Sequence, residues 1–186
     1  MKPTGPGQSA QLLLHSVGLL NNMRIPYVVV GALAVSFHGI PRSTNDADAA
    51  IWLGGTGNSE GDLVTRLKSE GFEVAIRHGD PEDPVTGVII IGDQYRNTID
   101  LILGIRGLAP DAVSRAIAAP LLGEVVNIIA AEDLIPMKLF AGGVRDLADV
   151  TGILQVSGEH LDIELTRNLA RRYGVEVEQR LNQLLG

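Results

Sequence analysis

The chain changes character at Ala130, and that change constrains its fold more than any other feature. Before it, short β-branched runs such as Tyr27-Val28-Val29-Val30 and Val88-Ile89-Ile90-Ile91 are cut apart by glycine and proline. After it, residues 132–141, 144–155, 163–173 and 175–185 each have helix length and are separated by Gly or polar breaks. Strands are expected at 27–30, 46–53, 72–77, 88–91, 98–103 and 125–129, and earlier helices at 11–23, 32–39 and 61–71. Strands and helices do not alternate strictly, so a plain doubly wound parallel sheet is disfavoured. The expectation is an α+β fold: a mixed β-sheet with flanking helices and a C-terminal helical part. Residues 1–130 would form the core and 131–186 the helical part packed on it.

Composition narrows what such a fold could do. At 186 residues with 45% hydrophobic content, the chain suits one compact domain and can bury a real core. The formal charge of −7 disfavours sequence-independent nucleic-acid binding, although Arg167, Arg171, Arg172 and Arg180 could form a local basic face. The absence of cysteine removes disulfides, thiolate metal sites and thiol nucleophiles together. An aromatic share of 4% is too low for a stacking platform that binds single strands generally. No signal-like or membrane-spanning apolar run is visible, so a cytoplasmic location is expected.

The densest chemistry runs from Gly31-Ala32 through His38-Gly39-Ile40-Pro41-Arg42-Ser43-Thr44-Asn45-Asp46-Ala47-Asp48. A strand ending at small residues lets backbone N–H groups approach phosphate oxygens. Asp46 and Asp48 are two apart on an expected strand, so their side chains leave the same face, with Cα atoms about 6.5–7 Å apart. Two such carboxylates can share a divalent cation or bridge a pair; equally, they could be a solvated strand end. Asp100 stands in an otherwise apolar strand, where a buried carboxylate needs a cation or donor beside it. His38 has no second histidine near it in sequence and reads as a hydrogen-bonded structural residue. Downstream, Glu132 and Asp133 suit a helix N-terminus. Lys138 is a cation among Met137, Leu139 and Phe140, available to a triphosphate, with Asp146 or Asp149 pinning cationic groups. Arg145 and Asp149 have the i, i+4 spacing of a helical ion pair.

Taken in order, these motifs resemble the AbiEii/AbiGii-type nucleotidyltransferases of the polymerase-β-like superfamily. They are Gly31-Ala32, His38-Gly39-x-Pro-Arg42-x-Thr44-x-Asp46-x-Asp48, Asp100, Glu132-Asp133-Leu134-Ile135-x-x-Lys138 and Arg145-Asp146-x-x-Asp149. The resemblance covers roughly residues 27–154. It implies a nucleotidyltransferase-like mixed sheet with NTP and Mg2+ at its edge, and transfer of a nucleoside monophosphate to an acceptor with release of pyrophosphate. Asp46, Asp48 and Asp100 would be the catalytic, metal-binding acids, Asp100 also taking the acceptor's proton. Gly31, Ala32, Arg42, Thr44 and Lys138 would bind the nucleotide. The acceptor would be a small molecule, protein or RNA, and an antitoxin is an expected partner of a toxin-like member. The superfamily's turn often reads Gly-Ser or Gly-Gly; here Ala32 leaves only backbone N–H groups to meet a phosphate. The alternative is a non-catalytic nucleotide-binding or partner-binding module on the same fold.

Overall fold

The computed structural model describes residues 2–41 and 46–186. In chain order its elements are α1 (Ser9–Asn22), β1 (Tyr27–Val30), α2 (Gly31–Phe37), β2 (Asp46–Ile51), α3 (Glu60–Ser69), β3 (Glu73–His78), β4 (Val85–Gly92) and β5 (Thr98–Ile105). There follow α4 (Ala112–Arg115), β6 (Ile117–Leu121), β7 (Glu124–Ile128), α5 (Ala131–Ala141), α6 (Val144–Ser157), a 3-10 turn (Gly158–His160), α7 (Ile163–Arg171) and α8 (Val175–Leu185). The expected mixed sheet and helical C-terminal part are both present. The strands form one seven-stranded sheet in the order β3-β4-β5-β2-β1-β7-β6. Pairing is antiparallel except between β2 and β5 and between β1 and β7.

Two short elements, α4 and β6, do not announce themselves in the sequence. Ile117-Ala118-Ala119-Pro120-Leu121 lacks a β-branched run and contains a proline, which argues against a central strand. The sheet order resolves this, because β6 pairs only with β7 and is an edge, where a missing N–H can face outward. Local chemistry explains other boundaries. The Gly-rich loop at 54–58 stops at Ser59, whose hydroxyl accepts from the Asp62 backbone N–H while the Asp62 carboxylate accepts from the Ser59 backbone N–H.

Strand alternation then sorts the side chains. Ala47, Ala49, Ile51, Ile89, Ile91, Ile99 and Leu101 point to one face and are buried, beneath α1 and α3. The opposite face divides in two. Over β1 and the end of β2 it is covered, since Val28 and Ala50 are 0% and 2% exposed. Over β3, β4 and β5 its residues are half-buried or exposed. The core is continuous from the sheet into the helical part, taking in Leu134, Ile135, Val150, Ile153, Ala170 and Leu181.

Ionic ties join α4 and the helices after it. Asp133, 2% exposed on α5, accepts two hydrogen bonds of 2.7 Å from the Arg115 guanidinium on α4. Asp111 accepts from both Arg115 and Arg172, at 2.9 Å each. Gly107, at φ +87°, lies against the Tyr173 ring so closely that a Cβ there would sit 2.5 Å from it. Truncating Arg115 would leave the Asp133 carboxylate buried without its guanidinium. Arg115→Ala should therefore lower stability by about 3 kcal/mol in urea unfolding; a loss within ~0.5 kcal/mol, the scale of a neutral surface change, would mean that the pair does not anchor this junction.

Candidate active site

Gly31 begins α2 directly after β1 at φ +66°, a backbone region that favours glycine. A Cβ on it would come within van der Waals overlap of the Asp48 carboxylate, so the missing side chain is what lets Asp48 lie against this turn. Ala32 follows as a buried residue. Any contribution of the turn to anion binding is therefore backbone only, as the sequence implies.

Asp48 is in register with Val30 on one side and with Asp100 on the other. Because β2 and β5 run parallel, these two aspartates stand side by side on the same face, one strand spacing (about 4.8 Å) apart at Cα. Asp46 shares that face two residues earlier. Its Oδ1 accepts a hydrogen bond from Thr98 Oγ1 at 3.4 Å. The sheet thus brings Asp46, Asp48 and Asp100 together at the border between the covered and open halves of one face. Burial raises the carboxyl pKa of Asp100 above its ordinary value; the charge of Asp46 adds to the shift and that of Arg77 opposes it.

These carboxylates are hard oxygen donors, and like-charge crowding of the kind felt at Asp100 is relieved by a cation. Among the described residues no three His, Asp or Glu side chains close into a metal cage. A side-by-side pair suits Mg2+ better than a closed cage, since that ion keeps waters and takes further ligands from substrate phosphates.

The remaining expected residues fall elsewhere. Arg42 and Thr44 lie outside the described residues. Lys138 is 6% exposed, and its Nζ lies 2.8 Å from Asp146 Oδ1 and 2.7 Å from Asp149 Oδ2. Held by these two carboxylates, the ammonium ties α5 to α6. Arg145 is exposed. His38 is buried, with Nε2 2.9 Å from the Ile129 carbonyl, a structural role as its sequence context suggests. Four arginines of the helical part are engaged within the chain: Arg171 with Glu178, Arg172 with Asp111, Arg167 with Asn182 and Arg180 with the Leu139 carbonyl. Sequence reasoning passed over Arg77, whose strand register puts it on the acid face.

By sequence, the chain matches no protein-family model and no curated protein significantly. By structure it is similar to nucleotidyltransferases. The solution structure of the antibiotic-resistance factor ANT(2'')-Ia aligns over 96% of this chain and 95% of that chain, at TM-score 0.62 and 14% identity. The crystal structure of ANT(2'')-Ia in complex with adenylyl-2''-tobramycin aligns over 89% and 99%, at TM-score 0.60 and 16% identity. A nucleotidyltransferase-like antigenic protein from Paracoccidioides brasiliensis aligns over 97% and 95%, at TM-score 0.54 and 15% identity.

Two predictions follow from this geometry. Gly31→Ala should lower the melting temperature, since it combines left-handed strain with displacement of Asp48; an unchanged melting curve would show that the turn is looser than described. A raised folded-state pKa means the folded protein prefers protonated Asp100, so its ionisation opposes folding at neutral pH. Asp100→Asn should therefore melt higher than the parent at pH 7, with the difference fading as the pH falls to the ordinary carboxyl value of 3.8. A variant less stable than the parent at pH 7 would contradict this.

On its length and coverage, together with the seven-stranded mixed sheet and its flanking helices, the chain has a nucleotidyltransferase-like fold.

Proposed function

We propose that this protein is a Mg2+-dependent nucleotidyltransferase that moves a nucleoside monophosphate from an NTP to a hydroxyl-bearing acceptor. The observation that carries the reading is the in-register pair Asp48 and Asp100, with Asp46 on the same face, placed beside the Gly31 turn in a nucleotidyltransferase-like fold. The complex of ANT(2'')-Ia with an adenylylated tobramycin is consistent with transfer to a small molecule on this fold. The internal engagement of Arg167, Arg171, Arg172 and Arg180 favours a small acceptor over RNA. The AbiEii/AbiGii affiliation, a toxin role and an antitoxin partner are supported by the sequence motifs alone.

In the reaction the acceptor oxygen attacks the α-phosphorus. A new P–O bond forms, the bond to the bridging oxygen toward the β-phosphorus breaks, and pyrophosphate leaves. Asp46, Asp48 and Asp100 would hold Mg2+, which would supply positive charge against the phosphate oxygens. Asp100 would also orient the acceptor hydroxyl and take its proton. Backbone N–H groups at the Gly31 turn would face the phosphates. Lys138, Asp146 and Asp149 would serve as a structural tie between α5 and α6.

The test is transfer of label from α-labelled NTP with Mg2+ across a panel of hydroxylated acceptors, with pyrophosphate release as the second readout. Asp48→Asn should reduce kcat by about 100-fold, equivalent to ~3 kcal/mol of lost transition-state stabilisation. Asp100→Asn should abolish transfer and leave NTP binding largely intact. Failure of the folded parent to bind Mg2+–NTP at millimolar concentration by calorimetry would remove the enzyme and leave the fold.

A further inference from the structure

Outward from Asp100 the acid face continues across β4 and β3. Ala75, Ile90 and Asp100 lie in one cross-strand row, and Arg77, Val88 and Ile102 in the next. Val88, Ile90 and Ile102 are each half-buried, and Ala75 and Arg77 are exposed. On the reverse face Ile89, Ile91 and Leu101 are each 0% exposed, so these strands already have their buried side. An antiparallel sheet with one face in water normally turns polar residues to it. Here three branched aliphatic side chains stand together instead, directly beside the acids. Two strand spacings by two rows make a floor of about 10 by 7 Å, the size of a small ring system.

Its charges stand at its edges. Glu73 stands at one outer corner, in the row of Gly92, Thr98 and Asp46, and Arg77 at the other. The acids and Glu73 bound the floor, but between them, among the described residues, it carries no polar side chain to meet the hydrogen-bonding groups of an all-polar acceptor. An acceptor with an apolar face gains from covering the aliphatic side chains.

Resting on the transfer reading above, we infer that the acceptor lies on the floor of Val88, Ile90 and Ile102 with its hydroxyl at Asp100. It is a hydroxylated amphiphile. Ile90 then determines specificity through apolar contact.

The experiment is methyl NMR of the full chain labelled at Ile, Leu and Val, titrated separately with octyl glucoside below its micelle concentration and with kanamycin, a polycation. Octyl glucoside should shift the Val88, Ile90 and Ile102 methyls, and kanamycin should leave them unmoved. Ile90→Ser should weaken octyl glucoside binding by about tenfold, the loss of a partly buried aliphatic contact. The inference is overturned if kanamycin moves those methyls of the parent at lower concentration than octyl glucoside does. It is also overturned if they stay unmoved by both, or if octyl glucoside instead shifts Leu139, Leu147 and Leu184 in the groove between α5, α6 and α8. Mg2+–NTP binding and pyrophosphate release are measured on the same sample. Their loss with the floor response intact rejects the transfer reading, whereas a silent floor with transfer intact rejects the acceptor class.

Discussion

The parallel pairing of β2 with β5 is the contact on which the rest of the arrangement depends. On one side of it β5, β4 and β3 form an antiparallel meander; on the other, β2 pairs with β1, which continues into β7 and β6. This single ladder joins the two halves of the sheet. Its register also decides which residues become neighbours: Asp48 meets Asp100, Ala49 meets Leu101 and Ile51 meets Leu103. A slip of one residue would turn the aspartates into the buried face beneath α1 and α3, where an uncompensated carboxylate is costly. The apolar side of the ladder therefore holds the acids in place on the other side.

The same alternation accounts for the shape of the site. One face of the sheet is sealed over Ala47, Ala49 and Ile51 of β2, Ile89 and Ile91 of β4 and Ile99 and Leu101 of β5, whereas the other is covered over β1 and open over β4 and β3. The acids stand at that step. Gly31 refines it, because its missing Cβ lets the Asp48 carboxylate sit against the turn that starts α2. Burial and like charge meet at Asp100, a combination that a bound cation or a proton would relieve.

The helical part is secured by charge pairs as well as by the core. The Asp133–Arg115 pair, bridged onward through Asp111 to Arg172, connects α5, α4 and the end of α7. Lys138 with Asp146 and Asp149 connects α5 to α6. Buried ion pairs add less net stability than their Coulomb attraction suggests, but they hold partners to one geometry, and a wrong docking of these helices would strand a charge. Asp133 and Lys138 thus specify how the helices seat more than they strengthen the fold.

The sequence by itself determined the mixed sheet, most strand and helix positions and the coincidence of Asp46 and Asp48 on one face, because periodicity and turn residues act locally. It also pointed to Asp100, whose charge conflicts with its apolar neighbours, and to His38 as a structural residue. Strand β6 escaped it, since Pro120 is acceptable only at an edge and edges exist only in the assembled sheet. Lys138 reads in one dimension as a free cation for phosphate; only the docking of α6 on α5 brings Asp146 and Asp149 to it. Arg77 and the aliphatic side chains of β4 gain meaning only from register across three strands. Tertiary structure decided these points because cross-strand neighbours and the partners of buried charges are set by long-range pairing, which no local pattern encodes.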